Sequence, residues 1–201
     1  MTRRKILSLV LGLGGVGFIA NAFQKSGGAR PLPLTPACDD GDDADPTEYA
    51  TEGPFYTPNT PRRSVLREAG TVGTPLVLTG RVLTRDCKPI AGAVLDFWQC
   101  DGNGVYDNQG FKLRGHLLTD ASGAFRVETV KPAPYKLAGR DRAPHIHVKV
   151  QGPRTRLLTT QLFFQGEPLN DGDWFVEESL IMPVAKSGNG SLAARFDFVL
   201  A

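Results

Sequence analysis

The segment PLVLTGRVLTRDCKPIAGAVLDFWQC, residues 75–100, predicts two β-strands joined by a turn. Residues 75–84 alternate apolar with polar or small residues and are rich in Val and Thr, as half-buried strands are. RDCKP then supplies turn-forming residues, and AGAVLDFWQC, residues 91–100, predicts the second strand. This pattern has no helical period, and the fold class that it indicates is all-β.

The rest of the chain repeats this pattern of short strands between turns. DGNG (residues 101–104) and TDASG (residues 119–123) predict tight turns, because Gly, Asn and Asp accept the backbone angles that turns require. Further strands are predicted at residues 124–130, 145–150, 157–164 and 196–200. Residues 173–180 fit either one helical turn or a loop. Short strands at this spacing are typical of a β-sandwich or a small barrel.

The first 22 residues have the pattern of an export signal. A basic start, Arg3-Arg4-Lys5, precedes an apolar run that ends in Ala20-Asn21-Ala22, a small-residue cleavage pattern. The paired arginines resemble a twin-arginine signal. The apolar run is short and glycine-rich for a membrane span, which needs about 20 apolar residues. We therefore expect an exported, periplasmic or extracellular protein with no stable membrane insertion after cleavage, although an uncleaved anchor stays open.

Residues 23–46 are rich in Pro, Gly and Asp and predict a linker, so the folded domain is expected at 47–201. Without the three basic residues of the signal, 20 Lys and Arg stand against 21 Asp and Glu. This balance provides no basic stripe for nucleic acid. The partner is expected to be a small molecule.

Three cysteines are present, an odd number for a chain expected in an oxidising compartment. Cys87 and Cys100 flank a predicted turn and strand and form the most plausible disulfide. Cys38 lies in the predicted linker, where no partner is evident. The alternative is that all three thiols are reduced.

His145 and His147, in RAPHIHVKV (residues 142–150), are two of only three histidines in the chain. On a strand, residues i and i+2 project from the same face, about 7 Å apart, so both imidazoles can address one point. Taken alone, such a pair is more often structural than metal-binding. Tyr106 follows the DGNG turn, and Tyr135 lies ten residues before His145. If the four side chains bind one metal, two phenolates favour a trivalent ion, with ferric iron, Fe(3+), the natural candidate.

Four segments resemble the intradiol aromatic-ring dioxygenases, the family of catechol, protocatechuate and hydroxyquinol dioxygenases. They are TEGPFYTPNTPRR, DFWQCDGNGVYD, KPAPYKLAGRDRAPHIHVKV and LTTQLFFQGEP, which occur in the family's order over roughly residues 48–170. The chain looks like the short exported members of the family, and it departs from the cytoplasmic enzymes in its compact interval between Tyr106 and Tyr135, which lacks their longer insertions. The resemblance implies a prealbumin-like antiparallel β-sandwich whose long loops carry a metal site.

The resemblance also implies roles for individual residues. Non-haem Fe(3+) would be held by Tyr106, Tyr135, His145 and His147. Arg142 would face the bound substrate, and Gln161 would lie near the metal. The substrate pocket would be bordered by Gly53, Pro54, Phe55 and Tyr56.

The implied reaction is cleavage of a catechol-type ring between its two hydroxylated carbons, with O2, to a cis,cis-muconate-type product. Tyr135 would be displaced by the substrate and accept one of its protons. Arg142 would stabilise negative charge on the substrate, because a guanidinium does not deprotonate. The partners are then a small aromatic diol and O2, and assembly into a homo-oligomer is left open.

Each of these residues also has a structural interpretation. Tyr106 and Tyr135 could pack as ordinary aromatics, Arg142 could be a surface charge, and Gln161 could point to solvent. His116 is interpreted as a surface or pocket-rim residue. Residues 80–137 also resemble prealbumin-like modules, which gives the alternative function of a noncatalytic exported binding module.

Overall fold

The computed structural model describes Cys38 and residues 44–201, and its regular structure is almost entirely strand. The strands are β1 Pro75–Thr84, β2 Val94–Trp98, β3 Arg114–Leu118, β4 Ala124–Val130, β5 Tyr135–Leu137, β6 Arg140–Arg142, β7 His145–Gln151, β8 Leu158–Phe164, β9 Ile181–Met182, β10 Val184–Lys186, β11 Leu192–Arg195 and β12 Phe198–Leu200. Two short 3₁₀ helices span Pro168–Asp171 and Glu178–Leu180. Within this described part, no helix is long and apolar enough to cross a membrane.

Two five-stranded sheets form the body of the protein. One has the order β10-β11-β1-β12, with β4 also paired to β1, and the other has the order β3-β2-β7-β8-β9. β5 and β6 form a separate two-stranded hairpin. Most pairings are antiparallel, and three are parallel, β1 with β11, β1 with β12, and β8 with β9. The predicted all-β sandwich is confirmed.

Alternating residues of both sheets supply a shared apolar core. Leu76, Leu78 and Val82 of β1 belong to the same buried cluster as Leu95 and Phe97 of β2. This is the period-2 burial that the sequence pattern of residues 75–100 predicts. The cluster therefore holds β1 of the first sheet against β2 of the second sheet.

The chain that pairs in parallel with β1 is divided into β11 and β12 at Phe196, where its backbone comes close to Gly80. A Cβ placed on Gly80 would lie 1.6 Å from the carbonyl oxygen of Phe196, so only glycine fits here. Phe196 lies between β11 and β12 and donates its N–H to the Thr79 carbonyl at 3.0 Å. The register of β1 with both partners therefore depends on this glycine.

The predicted strands are all present, but the sequence pattern missed several others. β3, β5, β6, β9, β10 and β11 were not predicted. Five of the six have four residues or fewer, too short for a clear apolar period. Residues 173–180 contain the 3₁₀ turn Glu178–Leu180, within the range left open between a helical turn and a loop.

The predicted Cys87–Cys100 disulfide is wrong. Cys87 is bonded to Cys38, with a Cα–Cα distance of 5.8 Å, and Cys100 is a buried free thiol. β2 separates Cys87 from Cys100, because a strand rises about 3.3 Å per residue and two bonded cysteines must lie within about 7 Å. The prediction that Cys38 has no evident partner is also wrong, because Cys38 is bonded to Cys87, which lies in the turn between β1 and β2.

The chain is hydrogen-bonded to the sheets from Ala44 onward. The N–H of Ala44 donates to the Arg85 carbonyl at 2.7 Å, and that of Thr47 donates to the Val199 carbonyl at 2.9 Å. The predicted signal, residues 1–22, and most of the predicted linker lie outside the described residues.

Candidate metal centre

Three loops and strands bring the four predicted donors together at one end of the second sheet. His145 and His147 lie on β7, which is flanked by β2 and β8, and both are 1% exposed. Tyr106 comes from the loop after β2, and Tyr135 begins β5. The strand geometry therefore directs both imidazoles to the side where the two phenol rings lie.

The two imidazoles face each other through their Nε2 atoms. These atoms are 3.2 Å apart, and the Tyr135 hydroxyl is 3.4 Å from Nε2 of His145. Nδ1 of His145 lies 2.6 Å from the Ala143 carbonyl, to which it donates, so Nε2 carries a free lone pair. Two nitrogens at this separation can both bond one cation placed about 2.1 Å from each.

Burial keeps both histidines neutral, which is the form that binds metals. Burial, followed by the charge of Arg142, lowers the pKa of His145 to about 4. Burial and the neighbouring His145 lower the pKa of His147 well below its ordinary value. The pair is therefore ready to ligate at neutral pH.

Tyr106 is buried, and Tyr135 is half-buried. Burial raises the pKa of Tyr106 well above 10 and also raises that of Tyr135. Among the described residues, the Tyr106 hydroxyl and Nδ1 of His147 accept or donate no hydrogen bond. A buried polar atom left unpaired costs about 1–3 kcal/mol. Only a nearby cation would ionise these phenols and repay that cost.

The donor chemistry selects the kind of metal. No group of three or more His, Cys, Asp or Glu side chains in the described part of the chain is arranged to hold a metal ion. The two histidines need the two tyrosines to complete a set. Two imidazoles with two anionic phenolates suit a hard trivalent ion, so the residues present fit ferric iron.

Arg142 is buried beside the donors and fixed by two side chains. It is 3% exposed; its Nε donates to Oδ2 of Asp173 at 2.9 Å, and its Nη2 donates to Oε1 of Gln161 at 2.7 Å. Gln161 is fully buried, pairs with His147 across β7 and β8, and donates to the Thr51 carbonyl at 2.7 Å. The surface interpretation of Arg142 and the solvent-facing interpretation of Gln161 are both wrong.

Residues 53–56 are divided between two environments. The ring of Phe55 stacks on Tyr106 with centroids 4.3 Å apart. Gly53 has φ +70°, and a Cβ there would lie 3.4 Å from Cε1 of His147, so the backbone packs closely against that ring. Pro54 is exposed, and Tyr56 turns away to donate to Asp96 at 3.0 Å. Their place at the edge of a substrate pocket stays a prediction.

Comparison with known proteins identifies the family of the chain. A family model described as "Dioxygenase" matches residues 51–201. The chain belongs to the intradiol dioxygenase family. The predicted enzyme class, an oxidoreductase of the dioxygenase type, is confirmed by that membership.

Relatives of known name support the same conclusion. The chain is 31% identical to a chlorocatechol 1,2-dioxygenase from Pseudomonas sp. (strain P51), over 75% of this chain and 69% of that protein. It is 29% identical to a hydroxyquinol 1,2-dioxygenase from Nocardioides simplex, over 78% of this chain and 65% of that protein. The chain thus spans about two thirds of the length of these curated relatives.

A solved structure also resembles this chain, over a share of the chain similar to that matched by the curated relatives. It is the dioxygenase domain of a dioxygenase carbohydrate-binding protein fusion from the cellulolytic bacterium Streptomyces sp. SirexAA-E. The TM-score is 0.72 at 45% identity, covering 78% of this chain and 98% of that one.

Two residues beside the predicted donors were missed by the sequence. Asp173, buried and paired with Arg142, lies 31 residues further along the chain, and only the fold brings the two together. The second is Trp98, which is buried and stacks its indole on His147 with ring centroids 4.7 Å apart and planes 8° from parallel. The cross-strand pairing of Trp98 with His147 is the signal that could have found this contact.

His116 is part of a separate hydrogen-bonded cluster. Its Nδ1 is 2.9 Å from the Thr60 carbonyl, and the Thr60 hydroxyl donates to Asp96 at 2.7 Å. Tyr56 donates to the same carboxylate. The rim interpretation of His116 agrees with its half-buried position.

Proposed function

We propose that the protein cleaves a catechol-type ring between its two hydroxylated carbons, incorporating both atoms of O2, at a non-haem Fe(3+) held by Tyr106, Tyr135, His145 and His147. The observation that carries this proposal is the convergence of two buried imidazoles, the buried Tyr106 phenol, whose hydroxyl has no hydrogen-bond partner among the described residues, and the half-buried Tyr135 phenol. The names of the chlorocatechol and hydroxyquinol relatives support a catechol-type substrate. The product would be a cis,cis-muconate-type diacid.

Ferric iron held by these four residues would ionise the two phenols and draw electron density from a catechol-type ring, which would make the ring reactive toward O2. The remaining work belongs to the protein. Tyr135 lies at the start of a three-residue strand and is only half-buried, whereas Tyr106 is buried under Phe55. Tyr135 is therefore the residue whose phenolate oxygen, once ionised, would take up a substrate proton.

Arg142 and the aromatic residues complete the site. The guanidinium of Arg142 stays charged and, held by Asp173 and Gln161, provides fixed positive charge where the substrate becomes anionic. Phe55 and Trp98 cover Tyr106 and His147, which excludes water from the donor atoms and strengthens the electrostatic interactions there.

The test is iron content and colour, followed by turnover. Protein expressed with sufficient iron should contain about one iron per chain and absorb visible light through phenolate-to-iron charge transfer. It should also consume O2 with a panel of catechols. Tyr135→Phe should shift the visible band and lower turnover at least about 100-fold, while Tyr49→Phe, an exposed tyrosine, should change neither.

A colourless, iron-free protein that consumes no O2 with any catechol would contradict the proposal. That result would favour the noncatalytic exported binding module. An unchanged visible band in Tyr135→Phe would contradict the assignment of Tyr135 as a ligand and leave the rest of the site in place.

We also propose that the protein is exported by a twin-arginine-type route and works in the periplasm or outside the cell. The Cys38–Cys87 disulfide supports this location, because such bonds persist in oxidising compartments. Mass spectrometry of the mature N-terminus from the exported fraction would locate the cleavage site. Full-length protein retained in the cytoplasm would contradict the proposal.

A further inference from the structure

A cleft of about 570 Å³ opens beside Arg142, outside the set of metal donors. It lies between the β5–β6 hairpin and the loop at residues 172–175, and a volume of this size suits a small organic ligand. Its walls include Leu137, Arg140, Arg142, Trp174 and Phe175. Trp174 is 77% exposed, an unusual position for so large an apolar side chain.

The hairpin connects this cleft to the metal donors. Tyr135 pairs with Arg142 across the two strands, and Leu137 pairs with Arg140. Residues paired directly opposite, and those two apart on one strand, share a face of the hairpin. The Leu137–Arg140 pair therefore continues the face of Tyr135 and Arg142, about 7 Å further toward the turn.

The loop at residues 172–175 places one aromatic ring beside each of the two arginines of the hairpin. The guanidinium of Arg142 lies 4.5 Å from the ring centre of Phe175, and that of Arg140 lies 3.8 Å from the ring centre of Trp174. The inner pair, Arg142 and Phe175, lies next to the donor Tyr135, and the outer pair, Arg140 and Trp174, is open to solvent. A ligand that begins at the donors can thus pass along both arginine–aromatic pairs.

The two arginines of the cleft, Arg142 and Arg140, differ in how their charges are paired. Arg142 keeps its charge but is paired with the Asp173 carboxylate at 2.9 Å, and Lys136 on the opposite face of the hairpin is paired with Asp141 at 2.7 Å. Arg140 has no carboxylate partner among the described residues, and its contact is with the Trp174 ring. The outer end of the cleft therefore offers an aromatic surface and a cation available to an anionic group.

We propose that the substrate is a catechol bearing an unsaturated three-carbon side chain that ends in a carboxylate, with its ring beside Tyr135 and Arg142 and its carboxylate at Arg140. This proposal rests on the proposed function, since it names the substrate class of the same site. A ring with such a side chain spans the distance between the two residue pairs. The flat conjugated chain stacks along Phe175 and the open side of Trp174.

Binding to the metal-free protein tests the cleft independently of catalysis. The probe is cinnamate, which has the ring, side chain and carboxylate but no hydroxyl groups to chelate a metal. We expect saturable quenching of Trp174 fluorescence, and equilibrium dialysis should show about tenfold weaker binding in Arg140→Gln and in Trp174→Ala. Lys136→Gln, which removes a cation from the other face of the hairpin, should bind cinnamate as the unmodified protein does.

Turnover by the iron-loaded enzyme tests the substrate class. The ratio of kcat/KM for 3,4-dihydroxycinnamate to kcat/KM for catechol should fall about tenfold in Arg140→Gln and in Trp174→Ala. Lys136→Gln should leave that ratio unchanged. A ratio unchanged in both cleft variants, or cinnamate binding that is indifferent to both, would overturn the inference. Cinnamate binding that depends on both residues, in a protein that turns over no catechol, would support the cleft and contradict only the proposed function.

Discussion

Two clusters of tyrosine and histidine lie along β2, and they differ in how their polar atoms are satisfied. The donor cluster, Tyr106, Tyr135, His145 and His147, lies at the Trp98 end, where Trp98 pairs with His147. The Asp96 cluster, Tyr56, Thr60, Asp96 and His116, lies nearer the other end, where Asp96 pairs with His116. Both combine the residue types that suggest metal binding or catalysis.

Hydrogen bonding distinguishes the two clusters. In the Asp96 cluster the carboxylate accepts from both Tyr56 and Thr60, and His116 contacts the Thr60 carbonyl. In the donor cluster the Tyr106 hydroxyl and Nδ1 of His147 have no partner within the described residues. Residue types alone therefore do not identify a site; unsatisfied buried polar atoms indicate where a ligand belongs when several possible donors converge on the same point.

Tyr56 and Tyr106 both have a raised pKa, but their hydroxyl groups differ in hydrogen bonding. Burial, with the nearby Asp96 carboxylate, raises the pKa of Tyr56 to about 12, and the hydroxyl uses its proton to bond that carboxylate. Burial, followed by the neighbouring Tyr135 phenol, also raises the pKa of Tyr106, but no carboxylate accepts from this hydroxyl among the described residues. A cation placed near Tyr56 would disrupt a complete network, whereas one placed near Tyr106 would complete an incomplete one.

Replacing one histidine in each cluster should produce the largest difference. We expect His147→Gln to abolish measurable iron retention, a loss in affinity of more than about 100-fold, because it removes a ligand from a four-donor set. We expect His116→Gln to retain iron and turnover. Atomic emission spectroscopy on dialysed protein measures the iron, and thermal unfolding checks that both variants fold. Iron retained by His147→Gln, or lost from His116→Gln, would reverse the distinction between the clusters.

The ion pairs beside the donor cluster should show the next largest effect. Asp173→Asn leaves the guanidinium of Arg142 buried without its carboxylate, which we expect to cost about 3 kcal/mol of unfolding free energy. Asp141→Asn breaks the exposed pair with Lys136 on the same hairpin and should cost less than about 1 kcal/mol. Urea unfolding measures both. Equal losses of unfolding free energy would show that burial does not make the Arg142–Asp173 pair more important to stability than the exposed Lys136–Asp141 pair.

The parts of this site that the sequence predicted are those with a local pattern. HIHVKV alternates in a way that predicts a strand, so the shared face of His145 and His147 followed directly. Tyr106 and Tyr135 were assigned through the resemblance, and the structure places Tyr135 within 3.4 Å of His145.

The parts that the sequence missed depend on contacts between distant segments. Asp173 gives no local signal, because its role arises only when its loop packs against β6. Cys38 lies in a segment whose composition suggests no fixed position, yet it is bonded to the turn before β2. The parallel pairing of β1 with β11 and β12 likewise joins segments more than 100 residues apart, a relation that an alternating pattern does not encode.

Two threonines should give the smallest effect and the sharpest test of the rule that distinguishes the clusters. The Thr60 hydroxyl donates to Asp96, whereas the buried Thr160 hydroxyl, on β8, has no partner among the described residues. Thr60→Val should therefore cost about 1 kcal/mol of unfolding free energy, while Thr160→Val, which removes an unpaired polar atom at nearly constant volume, should be neutral or stabilising by up to about 1 kcal/mol.

Urea unfolding of the two valine variants measures this difference in sign. Both substitutions keep a β-branched side chain, so strand propensity and packing volume change little, and hydrogen bonding is the main variable. A loss in Thr160→Val equal to that in Thr60→Val would mean that an unpaired hydroxyl is as stabilising as a paired one. The same reasoning would then no longer support reading the unpartnered Tyr106 hydroxyl as the mark of a bound ion.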